Sequence, residues 1–183
     1  MTRSPRAPGS RPTPPTPRRA RSLGPARRGG QGKAYTSSPV SIEFASPDHR
    51  LVRADLEIDG IFHGEASYEG RVFLNNPKAD LNTPRTLQSG YAGSFHIFGH
   101  GGCLGDPGHC EVKEHREKYD FRLPHPLTPT RIRVTVTKAL REIAKAAKEA
   151  SVTIVPVITA ANELCDTENV FRFEGMRFVS YDP

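Results

Sequence analysis

A chain of 183 residues, 36% hydrophobic and 25% charged, with a mean hydropathy of −0.54, suits one globular domain plus a less ordered extension and excludes two full domains. No run approaches the roughly 18 consecutive apolar residues of a membrane helix, and no apolar stretch follows the basic N-terminus as a secretory signal requires, so a cytoplasmic location is the default expectation. The net charge of +6 is unevenly spread: residues 1–33 hold nine basic side chains and no acidic one, while the other 150 carry 17 basic and 20 acidic, a net of −3.

The first 33 residues also hold seven prolines and five glycines, with Leu23 their only large aliphatic or aromatic side chain. Such a segment cannot bury enough apolar area to offset its ordering entropy, and residues 1–35 are expected to be a disordered Arg/Pro-rich tail. An arginine arm for nucleic acid or acidic lipid, a transit peptide and a proline-rich ligand all fit its composition. The prolines oppose the amphipathic helix of a transit peptide. A solvated leader, or a start codon upstream of the domain proper, is the simpler reading, and neither nucleic acid nor membrane is an expected partner.

From residue 36 the pattern changes. Val40, Ile42 and Phe44 alternate with polar residues, and so do Val52, Ala54, Leu56 and Ile58, the period of a half-buried strand. Asp59-Gly60 closes that run, and Tyr68–Leu74 opens another that pairs with it as a hairpin, stopped by Asn75-Asn76-Pro77. Tyr91–Phe98 predicts a core strand, followed by a long glycine- and histidine-rich loop. Ile132, Val134 and Val136 alternate with Arg131, Arg133 and Thr135, which read as a solvated face. Thr137–Lys148 carries the one helical pattern, capped by Thr137 and striped by Leu140, Ile143, Ala144 and Ala147. Val152–Ile158 is a β-branched run in which Pro156 points to an edge or a bulge. Val170–Phe173 and Met176–Val179 flank Glu174-Gly175 as a closing hairpin. With 16 glycines, 17 prolines, nine phenylalanines and no tryptophan, the chain predicts a mainly β domain over residues 36–183: an antiparallel β-sandwich of seven or eight strands with one short α-helix.

Four of seven histidines and two of three cysteines cluster in twenty residues, His96, His100, Cys103, His109, Cys110 and His115. Imidazole and thiolate are ligands for zinc or copper. His100-x-x-Cys103 fits a metal site, but adjacent His109 and Cys110 point oppositely on extended backbone, and His96 and His100 on one strand lie roughly 13 Å apart. A Cys103–Cys110 disulfide, leaving Cys165 unpaired, and a pair of free thiols are the competing readings. Ser94 and His96 share a strand face without a nucleophile elbow or a partner acid, and Gly99-His100-Gly101-Gly102 lacks the lysine of a phosphate loop. His125 between two prolines reads as a rigid connector, and His63 as a turn residue.

Taken together, Tyr68-Glu69-Gly70-Arg71-Val72-Phe73-Leu74-Asn75-Asn76-Pro77, Gly90–Gly101, Val134-Thr135-Val136-Thr137, Val152–Val157 and Phe173–Phe178 resemble the C-terminal domain of tyrosinase and polyphenol oxidase-type dicopper enzymes, the bacterial members especially, over residues 40–183. That resemblance implies a β-sandwich lying over the copper site of a helical domain, where it keeps the enzyme latent by placing a side chain at the substrate entrance. The helical bundle and its six copper-binding histidines have no counterpart here, since the one predicted helix carries no histidine. The implied function is therefore a non-catalytic cap, with copper in the partner, a dicopper phenol oxidase catalytic domain, and no enzyme activity of its own. Phe62, Tyr91 and Phe98 are the candidate blocking residues. The alternatives are a small zinc- or copper-binding or copper-delivery domain centred on residues 96–115, and a general ligand- or protein-binding sandwich.

Overall fold

The computed structural model describes residues 30–47, 51–101 and 127–181. In chain order it contains β1 (Tyr35–Thr36), β2 (Val40–Ser41), a 3-10 turn (Glu43–Ala45), β3 (Arg53–Ile61), β4 (Ser67–Leu74) and a second 3-10 turn (Leu87–Ser89). Then come β5 (Tyr91–Ile97), β6 (Thr130–Thr135), α1 (Thr137–Ile143), β7 (Glu149–Ala150), β8 (Val152–Ala160) and β9 (Gly175–Tyr181). Every pairing is antiparallel. One sheet runs β1-β8-β4-β5, a second runs β6-β3-β9, and β2 pairs with β7. The expected antiparallel β-sandwich with one short helix is what forms. Six strands of six to nine residues and three of two residues make it up.

Strand alternation places the core. Ala54, Leu56 and Ile58 of β3 face Tyr68, Val72 and Leu74 of β4 and Val152, Ile154 and Ile158 of β8, all buried in one cluster with Phe95, Ile97 and Val134. The outer face of the larger sheet carries a second, smaller core of Phe73, Val155 and Ala79, with Tyr91 and Val157 packed against it. The segment at 170–173 fills the gap between the sheets: Phe171 stacks on Phe173 at 4.9 Å and lies 6.1 Å from Phe95 and 6.4 Å from Tyr68.

Several local expectations change once the sheets assemble. Val40, Ile42 and Phe44 do not form one strand: β2 ends at Ser41 and a 3-10 turn follows. Strands β3 and β4 form no hairpin, because the connection at 62–66 crosses from one sheet to the other. Val170–Phe173 is not a strand either, so the closing hairpin is replaced by a long-range pairing of β9 with β3. The helix spans seven residues, with a turn after it, and Thr137 does not cap it. Val136 holds the cap position, and the Thr137 hydroxyl bonds instead to the Ala54 amide at 2.9 Å, tying α1 to β3.

Pro156 occupies an inner strand, not an edge. Its carbonyl accepts from the Gly32 amide at 2.9 Å, so the side that lacks an N–H faces the incoming 30–34 segment and the ladder to Gly70 of β4 stays regular. Gly30 accepts from the Ile158 amide, and the chain thus joins β8 ahead of the boundary expected at residue 36.

Tyr68 is 1% exposed and its hydroxyl has no hydrogen-bond partner among the described residues; burial pushes its pKa far up. A stranded polar atom of this kind costs about 1–3 kcal/mol. Tyr68→Phe is expected to raise stability by roughly 1 kcal/mol, read as a thermal midpoint about 2–4 °C higher; a lower midpoint would mean that the hydroxyl is satisfied.

Candidate functional site

At the end of β5 the chain stops pairing and presents Phe98 to solvent. Its side chain is 90% exposed, the highest value among the large hydrophobic residues described, while its neighbours Phe95 and Ile97 are each 5% exposed. The backbone beneath it is anchored residue by residue. The Gly99 amide donates to Ser67 Oγ at 2.9 Å, His100 to the His63 carbonyl at 2.8 Å and Gly101 to the Glu65 carbonyl at 3.0 Å. Asn162 Nδ2 then donates to the Gly101 carbonyl at 2.7 Å.

Residue types explain this pedestal. A Cβ at position 99 would lie 2.2 Å from the Glu65 carbonyl oxygen, so only glycine allows that approach, and Gly101 has φ +76, a left-handed conformation. The support is itself braced. Glu65 accepts from the Asp166 amide at 3.0 Å and from Arg172 at 3.3 Å, and His63 Nε2 lies 2.9 Å from the Thr128 carbonyl. Leu164, 55% exposed, follows two residues after Asn162, and its amide donates to Asn162 Oδ1 at 2.9 Å. The result is an aromatic side chain in water on backbone that has already lost its conformational freedom.

The other two blocking candidates are placed differently. Phe62 is half-buried beneath the Arg172 guanidinium, 4.1 Å from the ring centroid. Tyr91 packs edge-on to Phe73 at 5.6 Å in the outer core. Both rings are occupied within the fold.

His96 projects from the outer face of β5 opposite Glu69, and His100 follows the pedestal glycine; both are exposed. Cys103, His109 and Cys110 lie outside the described residues, as do His115 and His125. Among the described residues no three His, Cys, Asp or Glu side chains converge on a point where a metal ion would be held. Cys165 is a free thiol, 3.3 Å from Asn162 Oδ1. No helix among the described residues is long and apolar enough to cross a membrane.

A second feature went unread in the sequence. On the outer face of the smaller sheet, Asp55, Glu57 and Asp59 of β3 lie beneath arginines from all three strands. Glu57 accepts from Arg133 of β6 at 2.6 Å and from Arg177 of β9 at 2.5 Å. Asp59 takes Arg131 and, at 3.1 Å, Arg177; Asp55 takes Arg53 at 2.8 Å and the Thr135 hydroxyl at 2.9 Å. The Asp55 and Glu57 side chains are 0% and 4% exposed, whereas the four arginines are 53–58% exposed. Arg133 is therefore a clamp on the buried Glu57, and Arg131 pairs with the half-buried Asp59; neither is a merely solvated face. The signal was present as opposite charges at the same period of two, on strands whose pairing the sequence did not reveal.

The two best-buried acids titrate low for different balances of cause. For Glu57 the bonds from Arg133 and Arg177 dominate and hold the carboxyl below its usual range. For Asp55 burial is the largest influence and pushes upward, but the Arg53 and Thr135 hydrogen bonds and the charges of Arg53 and Arg133 together outweigh it. One Asp55 oxygen, Oδ2, has no hydrogen-bond partner among the described residues.

No family model matches the sequence, and no curated protein does. Among solved structures, a recombinantly expressed latent aurone synthase, a polyphenol oxidase, is similar at 15% identity and a TM-score of 0.46, over 82% of this chain and 24% of that one. The latent aurone synthase from natural source is similar at 15% identity and 0.37, over 75% and 25%. This chain spans about a quarter of the length of those polyphenol oxidases. At these identities and scores the likeness does not decide function.

Two outcomes test the site's construction. Gly99→Ala is expected to destabilise the fold by about 1–3 kcal/mol in urea unfolding, since the pedestal must shift to admit a methyl group; an unchanged midpoint would show that the close approach is dispensable. Folded-state pKa values below the unfolded ones mean that the arginine–acid stabilisation is complete above the ordinary carboxylate range, about pH 4, and is lost as pH falls through the folded values. Urea midpoints measured from pH 7 to pH 2.5 are expected to fall on acidification, and to fall less steeply in Glu57→Gln.

Proposed function

We propose that this chain is a non-catalytic cap for a tyrosinase-type dicopper phenol oxidase, and that Phe98 is the side chain it seats in the mouth of the partner's active site. The observation that carries the reading is the pairing of near-complete exposure at Phe98 with a backbone pinned at 99, 100 and 101. Fully burying a side chain of this size is worth about 1.5–3 kcal/mol, which the free chain forgoes and a complex would recover. Because the pedestal is already ordered, little conformational entropy opposes docking, which is how a single aromatic becomes an interface anchor.

The resemblance in the strand formulas supplies the partner class, and the chain's composition is consistent with it. The single described helix, Thr137–Ile143, contains no histidine, so the copper in this reading belongs to the partner. Capping is then steric. The cap keeps phenols out of the pocket with an ordinary binding affinity, and its removal or proteolysis restores activity. No chemistry is assigned to the chain itself.

The test is diphenol oxidation by a purified tyrosinase-type catalytic domain, with the full 183-residue chain titrated in. Saturable inhibition is expected, with Phe98→Ala raising the inhibition constant about 10- to 30-fold, as for a hot-spot aromatic. Phe98→Ala should leave the thermal midpoint unchanged, because the ring contributes little to the core. Tyr91→Phe and Phe62→Leu are expected to inhibit like the wild type. Inhibition that is indifferent to Phe98, or absent at concentrations well above the enzyme, would end the proposal. Copper-dependent activation would reassign function to the His96–His115 segment.

A further inference from the structure

The edges of the two sheets are not alike. Edge strand β5 carries a register shift beside Val72, and β6 carries one between Ile58 and Ile61 of its partner. Strand β1 is only two residues long, and β2 and β7 likewise. Bulges and short length are how proteins blunt an edge against pairing with another chain. Strand β9 has none of these devices: it is seven residues long, pairs with β3 in unbroken register from Gly175 to Tyr181, and contains neither proline nor lysine. Among the described residues it bonds to β3 alone.

Beside this edge the sandwich is open. A cleft of about 610 Å³ lies between β9 and the β1–β2 segment, with Tyr35, Val40, Phe44, Phe173, Met176 and Phe178 on its walls. That volume is within the roughly 300–1,000 Å³ of ordinary binding clefts. Met176 and Phe178 point inward, since they pair with the core residues Ile58 and Leu56, yet they are only half-buried. The inner face of the sheet is therefore incomplete on this side by about one strand.

We propose that β9 accepts an extended segment of a partner protein as a fourth strand of this sheet, and that the segment alternates apolar with polar residues and sets an acidic one beside Arg177. The pattern follows from extending the rows already present. On the inner face the rows read Ile132–Ile58–Met176 and Val134–Leu56–Phe178, so the next residue in each row faces the cleft and is apolar. On the outer face the row reads Arg133–Glu57–Arg177, so the next residue lies beside a half-exposed guanidinium and is acidic. Main-chain hydrogen bonds to the β9 edge provide affinity, and the alternating side chains provide selectivity. The chain's own residues 1–29 have the wrong composition for the slot, with seven prolines and no acidic side chain.

This inference stands apart from the cap reading, because β9 is not part of the Phe98 pedestal. The probe is a labelled seven-residue peptide alternating valine and glutamate, titrated with the full chain in fluorescence anisotropy. Saturable binding is expected with a dissociation constant of about 10–100 µM, weakened at least tenfold when alternate peptide amides are N-methylated to remove the ladder. A valine–lysine peptide should bind more weakly, and Arg177→Gln should narrow that preference. Val40→Lys changes an exposed cleft wall, leaves the fold intact and should reduce binding. Failure of the valine–glutamate peptide to bind, or equal binding of its N-methylated form, would overturn the proposal. So would a concentration-dependent dimer abolished by Val40→Lys, which would give the edge to a second copy of the chain.

Discussion

Strand β3 is the constraint on which the rest of the molecule depends. Its even-numbered residues, Ala54, Leu56 and Ile58, are buried against the opposite sheet, and its odd-numbered residues, Asp55, Glu57 and Asp59, carry the charge. A strand whose second face holds nearly dry carboxylates can be central only if both neighbours bring cations in register. Strands β6 and β9 do so with Arg131, Arg133 and Arg177. Register is therefore set twice over, by the apolar face and by the charged one, and a slip of one residue would bury arginine and expose leucine. The charge pairs are better understood as selecting this pairing than as a large source of stability, since each guanidinium remains half in water.

That central pairing decides what the two ends and the two flanks of the sandwich are free to do. At one flank β5 and β6 end in shifted register and α1 is tied to β3 through Thr137. At the other, β9 closes the sheet with a regular edge and a cleft beside it. At the far end of β5 the core has been filled by Phe95 and Ile97, so the next aromatic, Phe98, has no interior left to enter. Glycines at 99 and 101 let the following backbone settle on the 63–67 connection, which fixes the direction in which Phe98 leaves the surface. The exposed ring and the open edge are thus consequences of one packing solution, and each is aimed at a different kind of partner contact.

Much of the strand content was legible because burial on one face imposes a period of two. The runs through Leu56, Val72, Phe95, Val134 and Ile154 announced themselves in that way. The same rule misled where burial was not one-sided. Val170-Phe171-Arg172-Phe173 alternates like a strand, but its rings plug the gap between sheets and its backbone joins no ladder. Ile42 and Phe44 alternate across a 3-10 turn, and Thr137, correct in type for a helix cap, has its hydroxyl taken by β3. Local chemistry proposes such roles, and the nearest tertiary partner overrides them.

Composition and pattern alone determined a mainly β, antiparallel sandwich with one short helix and an acidic body behind an arginine-rich leading segment. These properties follow from side-chain chemistry and short-range periodicity, which every residue carries regardless of its partners. Only the tertiary structure decided which aromatic was left outside, that Arg133 and Arg177 cover the buried Glu57, that Pro156 is tolerated in an inner strand, and that β9 is the undefended edge. Each of these depends on which strands become neighbours and in what register, a choice made by contacts such as that of Arg53 with Tyr181, 128 positions apart, that no local pattern encodes.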